Sequence, residues 1–250
     1  MVLLCLFFFA THPLEQALQL LNSGKYQQSF EIAADYVREH PESPSGHKIA
    51  GMDEYMLGQP REAILELRRA TELNPRDPEA FYYLGRLYFS ADDVNSALSM
   101  FQKALEIEPG SVRARNHLGQ TLEALGRFAD AERAYLEAIG SEATQPKRSE
   151  WPFYNLGVLY LNSGRSEQAV PYLQQALERN PAMVEAKVKL ALAFAGMHRG
   201  AEAAGLLEEA IRLDSKNAEA HYRLARLLAK SGKHDEAQRH FDLFERYRKH

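Results

Sequence analysis

The sequence is poor in sulfur and in signatures of chemistry. Of 250 residues only Cys5 carries a thiol, so no intramolecular disulfide can form and no cysteine-based metal site exists. Neither sign of charge dominates: 30 Lys and Arg stand against 34 Asp and Glu, a net charge of −4. No global field therefore recruits nucleic acid or an anionic membrane. No run of about 20 apolar residues occurs, which excludes a helical membrane span. There is no Gly-rich phosphate loop, no Gly-x-Ser-x-Gly elbow and no His-Glu-x-x-His. The pair Asp92 and Asp93 falls at the start of a helix, where capping and the helix dipole account for it. The nine histidines are scattered, and His234 and His240 lie six residues apart, a poor fit to one helix face. No catalytic residue, metal or cofactor is implied.

What the sequence has in abundance is repetition. The stretch YYLGRLYFSADDVNSALSMFQKALEIEP (82–109) matches YNLGVLYLNSGRSEQAVPYLQQALERNP (154–181) in its Leu-Gly, its Tyr three residues later, its alanines and its closing Pro. One small-residue position recurs at Ala17, Gly51, Gly85, Gly119, Gly157, Ala191 and Ala225, and a second at Ser29, Ala63, Ala97, Ala131, Ala169, Ala203 and Ala237. The step is 34 residues except for one of 38. Seven copies therefore start near residues 10, 44, 78, 112, 150, 184 and 218, with an insertion near 146–149.

Each copy reads as two helices. In the third, Phe81, Leu84, Gly85 and Tyr88 fall on one face of the first helix, and Ala97, Phe101, Ala104 and Leu105 on one face of the second. The small residues let two backbones approach while large neighbours fill the gaps. Asp77, Ser111 and Asn217 are placed to cap first turns. Gly24, Gly58, Gly126, Gly164 and Gly232 mark the turns inside copies, and Pro41, Pro75, Pro109 and Pro181 close copies. Copy six, AFAGMHRGAEAAG (193–205), is small in side chain, and its glycines Gly196, Gly200 and Gly205 lower its helix stability.

This pattern resembles the tetratricopeptide repeat family across residues 10 to about 247. The resemblance implies an all-α fold, a right-handed superhelical solenoid of stacked antiparallel helix hairpins with a concave groove. Stacking is obligatory, because no single hairpin buries its own apolar face. Phe244 stands where five earlier copies have Ala, so Phe244 and Tyr247 read as a cap on the last hairpin, with an exposed docking patch as the alternative.

Positions 2, 5, 9, 12 and 13 of each first helix point away from the packing face, and a solvated face should be polar. Here that face, with one residue beside it, holds Lys48, Met52, Tyr55, Tyr82, Arg86, Phe89, Asn116, Gln120, Tyr154, Asn155 and Val158. In the resembled family this stripe lines the groove, and aromatics beside Asn, Gln and Arg suit an extended peptide or a helix. The small side chains of copy six would leave room for a bulky ligand group. Some members of the family grip acidic chaperone tails with a Lys/Asn/Arg clamp; Lys48 is followed here by Met52 and then Tyr83, so that pattern is broken.

The expected function is a non-catalytic protein-interaction scaffold whose partner is a protein or peptide. The alternatives are a self-assembling structural protein and a substrate-presenting subunit of a separate enzyme. Neither the partner's identity nor the oligomeric state follows from the residues. The opening MVLLCLFFF (1–9) lies outside the repeats. It has the length of a secretory apolar core but no basic residues ahead of it. As a leader it would send the chain to the periplasm or outside the cell; as a cap on the first hairpin it would leave the chain cytoplasmic.

Overall fold

The computed structural model describes residues 12–141 and 148–248. The apolar opening and the first half of the insertion, residues 146 and 147, lie outside the described residues. Contacts divide the chain into two compact units, residues 1–125 and 126–250. Among the described residues all regular structure is α-helical. The first unit contains α1 (Pro13–Asn22), α2 (Tyr26–Glu39), α3 (Pro44–Met56), α4 (Pro60–Leu73), α5 (Pro78–Ser90), α6 (Val94–Ile107) and α7 (Val112–Ala124). The second contains α8 (Phe128–Ser141), α9 (Trp151–Asn162), α10 (Ser166–Arg179), α11 (Val184–Gly196), α12 (Gly200–Leu213), α13 (Ala218–Lys230) and α14 (His234–Tyr247).

Punctuation of the chain sets these boundaries. Asp77 accepts hydrogen bonds from the amides of Glu79 and Ala80, Asn217 from Ala220, Ser43 from Gly46 and His12 from Leu14. Ser111 makes no such cap bond, contrary to expectation. The five turn glycines have φ between 72° and 82°, the left-handed conformation that ends a helix without a Cβ clash. In copies three and six the same turn position is held by Asp92 (φ 61°) and His198 (φ 60°). Asp92 is therefore the turn residue, and Asp93 alone caps α6, accepting from the Ser96 amide.

Within each unit every helix packs on the next, and the first helices of neighbouring copies also touch, α1–α3–α5–α7 in one unit and α9–α11–α13 in the other. The small-residue position explains how closely hairpin partners approach. A Cβ on Gly85 would lie 2.8 Å from the Phe101 ring, and one on Gly157 would lie 2.6 Å from Leu173. Phe101 and Leu173 are fully buried as a result. Gly196 and Gly200 stand at helix ends, so only Gly205 weakens a helix interior in copy six. At the last hairpin Phe244 lies 5.0 Å from Tyr222, and Tyr247 lies 5.8 Å from His221, ring centre to ring centre. Both side chains fold back onto α13.

Candidate functional site

In the first unit the face of the first helices is a set of interlocked cations and rings. Lys48 Nζ bridges from α3 to the start of α5, 2.8 Å from Asp77 and 3.3 Å from Glu79. Burial opposes its charge, but the two carboxylates hold its pKa above the ordinary lysine value. Arg86 donates to Tyr55 Oη at 2.7 Å, with its guanidinium 4.8 Å from the centre of the Tyr55 ring. The same guanidinium lies 5.8 Å from Tyr82 and 5.9 Å from Tyr83. Arg113 sits 4.6 Å over Tyr82 and pairs with Glu79 at 3.1 Å. Burial pushes the Tyr82 and Tyr83 phenols up and the His117 imidazole down, so all three are neutral at pH 7.

This arrangement separates the expected groove residues into two groups. Met52 and Tyr82 are 6% exposed and Asn116 is 5% exposed, so these three build the wall from inside. Tyr82 is sunk because its ring packs against Phe101 and edge-on to His117. Lys48, Tyr55, Arg86, Phe89 and Gln120 stay half-buried and reach the surface. Tyr83 joins them through Arg86 and Tyr55. It lies at the sixth position of its copy, outside the five-position stripe, and its aromatic character was the available signal.

The second unit presents a more open face. Trp151, 47% exposed, meets Tyr154 edge-on at 5.9 Å. Val158 is half-buried, whereas Asn155 is buried at 8% exposure and belongs to the packed interior. Lys189 (3.0 Å) and Arg223 (2.6 Å) both hold Glu219. Burial raises the Glu219 pKa, but the two cations outweigh it and keep the carboxyl below its ordinary value. Beside this cluster lies an open cavity of about 210 Å³. Ala191, Leu192 and Ala195 of α11, Leu207 of α12 and Leu227 of α13 give it apolar walls, and Arg223, Arg226 and Lys230 rim it. It lies at the small-residue copy.

Two arrangements escaped the sequence pattern. Asp53 and Glu54 are 0% and 6% exposed, and both Asp53 oxygens and one of Glu54 have no hydrogen-bond partner among the described residues. The nearby Ser29 hydroxyl donates to the Ala17 carbonyl at 2.8 Å instead. Burial pushes both carboxyls up to about 7, Glu54 with added repulsion from Glu66, Glu62 and Asp53. The second arrangement pairs buried histidines. His47 bridges Glu66 (2.6 Å) and the Pro41 carbonyl (2.8 Å). At the matching position of the last copy, His221 bridges His240 (2.9 Å) and the Ser215 carbonyl (3.1 Å). Among the described residues no group of three or more His, Cys, Asp or Glu side chains is placed to hold a metal, and no helix is long and apolar enough to cross a membrane.

Comparison with known proteins agrees with this geometry. Models described as tetratricopeptide repeat match residues 151–183 and 194–243, and one described as anaphase-promoting complex, cyclosome, subunit 3 matches residues 56–138. The photosystem I assembly protein Ycf3 of Rippkaea orientalis is 31% identical, over 46% of this chain and 69% of that protein. The CTR9 homolog of Arabidopsis thaliana is 23% identical over 87% of this chain. The chain spans 24% of that protein's length and a quarter or less of other curated relatives, 11% and 24%. The crystal structure of the Cut9–Hcn1 hetero-tetramer of the APC/C superposes with a TM-score of 0.74 at 17% identity, covering 91% of this chain and 44% of that one. The chain belongs to the tetratricopeptide repeat family, whose fold is a solenoid of helix hairpins and whose members are generally protein-interaction scaffolds.

Proposed function

We propose that this chain is a non-catalytic scaffold that binds a segment of another protein along the face of its first helices. The observation that carries the reading is the composition of that face. Tyr55, Tyr83, Phe89, Trp151 and Tyr154 stand at or near its surface where a merely solvated face would carry charged groups. Half-buried rings with hydrogen-bonding neighbours offer contact area at low entropic cost, which is what hot spots of recognition are made of. The relatives fit this reading by name: Ycf3 is an assembly protein, and Cut9 is solved together with Hcn1.

The test is capture of a partner from extract of the native host. Arg86→Ala with Phe89→Ala probes the first unit, and Trp151→Ala with Tyr154→Ala the second. Loss of the captured protein with either pair, at unchanged helical content by circular dichroism, supports the reading. Capture that survives both pairs together rejects the first-helix face.

A further inference from the structure

We propose that the cavity between α11 and α13 anchors an acidic segment of the partner, with one apolar side chain of that segment inside the cavity and its carboxylates paired to Arg226 and Lys230. This rests on the scaffold reading and adds the chemistry of the ligand and its place.

The size of the cavity comes first. At about 210 Å³ it falls below the ~300–1,000 Å³ of sites for small molecules and suits a single side chain. Its floor is aliphatic: Leu192, Ala195, Leu207 and Leu227 offer no hydrogen bond from their side chains, so the group that enters must be apolar. The space has a definite origin. Ala195 occupies the position filled by the larger Tyr55, Phe89, Glu123 and Leu161 in copies two to five, and its methyl group leaves room beside Leu192 and Leu227.

The rim supplies the charge. Arg223 is committed to Glu219. Arg226 rests only on the Tyr222 ring, 5.8 Å away, and neither it nor Lys230 forms an ion pair among the described residues. This differs from Lys48, Arg113, Lys187 and Lys189, each of which already holds a carboxylate. Arg226 and Lys230 stand four residues apart on one helix, about 6 Å along its axis, and Arg223 extends the basic line to about 10 Å. A lone terminal carboxylate cannot span that line; successive acidic side chains can. A lipid headgroup would satisfy the cations but leave the apolar floor unused.

The probe is an acetylated, amidated Glu-Glu-Leu-Glu-Glu peptide with a fluorophore on a Gly-Ser linker, titrated with the full chain and read by anisotropy. Binding at low salt that weakens at high salt is expected. Arg226→Glu with Lys230→Glu should reduce affinity by about tenfold or more. Ala195→Phe, which fills the cavity and leaves every charge in place, should reduce it by at least about fivefold. Replacing the peptide's Leu by Ala should match the effect of Ala195→Phe.

Four results with peptides would overturn the proposal: no binding of the acidic peptide, equal binding of a Gln-Gln-Leu-Gln-Gln peptide, preference for a peptide of uncharged side chains with a free carboxyl terminus, or indifference to Ala195→Phe. Phosphatidylserine vesicles serve as the remaining arm, and binding to them in place of the peptide also overturns it. If the peptide fails while the host partner is still captured by the charge-reversed protein, the cavity proposal falls and the scaffold reading stands.

Discussion

The first-helix faces of the two units use the same repeat positions and differ in what occupies them. In the first unit Arg86 and Arg113 lie over Tyr55 and Tyr82, and Lys48 is pinned between Asp77 and Glu79. In the second, Ala195 leaves a cavity, and Arg226 and Lys230 form no ion pair among the described residues. The interior shows the opposite contrast. Copy five of the second unit puts Leu159 and Tyr160 where copy two of the first puts Asp53 and Glu54, two carboxyls without full partners among the described residues. A cation held by its own neighbours costs more to truncate than one that is not.

The largest effect should come from removing the interior difference. Asp53→Leu should raise stability at pH 8 by about 2–4 kcal/mol, since a buried unpaired charge gives way to the residue that Leu87 and Leu159 show to fit. The pH dependence has a fixed sign. A carboxyl whose folded pKa is raised to about 7 favours the folded state when protonated. That stability is intact below about pH 4 and is lost as pH rises through about 7. Urea denaturation midpoints should therefore fall between pH 5 and pH 8 in the natural protein, and less steeply in Asp53→Leu. An unchanged slope would place the titration elsewhere.

The surface difference is probed by one substitution in each unit. Arg86→Ala should cost about 1–2 kcal/mol, from the lost Tyr55 hydrogen bond and the uncovered rings. Arg226→Ala should stay within about 0.5 kcal/mol. Equal costs in urea denaturation would erase the contrast between a satisfied and an unsatisfied face. A smaller gain is expected at the turns. His198→Gly should stabilise by about 1 kcal/mol and Asp92→Gly by about half that, because Asp tolerates the left-handed conformation better. Thermal melts of the two variants rank them.

The smallest effect concerns the buried imidazoles. His240→Glu recreates at the last hairpin the pairing that His47 makes with Glu66. It should add about 0.5 kcal/mol, because the His221 ring N–H would donate to a carboxylate. Urea denaturation midpoints that do not move would show that the imidazole pair already satisfies His221.

The hairpins were legible in the sequence because their determinants are local. Proline and capping residues start helices, glycine ends them, and the 34-residue step fixes which faces meet. The candidate site could be read only to the level of position. Tyr82 and Arg86 share a stripe, yet the ring is buried by Phe101 and His117 while the guanidinium reaches outward. That sorting depends on side chains from other helices. The His221–His240 contact joins residues 19 apart on different helices, beyond any helical spacing rule. Asp53 and Glu54 were invisible for another reason: acidic residues at interior positions contradict the repeat, and only the packed neighbours reveal that they are buried all the same.

The separation between packing and surface positions has an evolutionary consequence. Gly85 against Phe101, and Gly157 against Leu173, set how hairpin helices meet. Ala195 fills none of those contacts, and neither do Tyr55 and Phe89 at the same repeat position. Substitutions there leave those close approaches intact, and Tyr55 and Phe89 add only a second layer of packing on the core, so the geometry of a hairpin can outlast changes in its outer side chains.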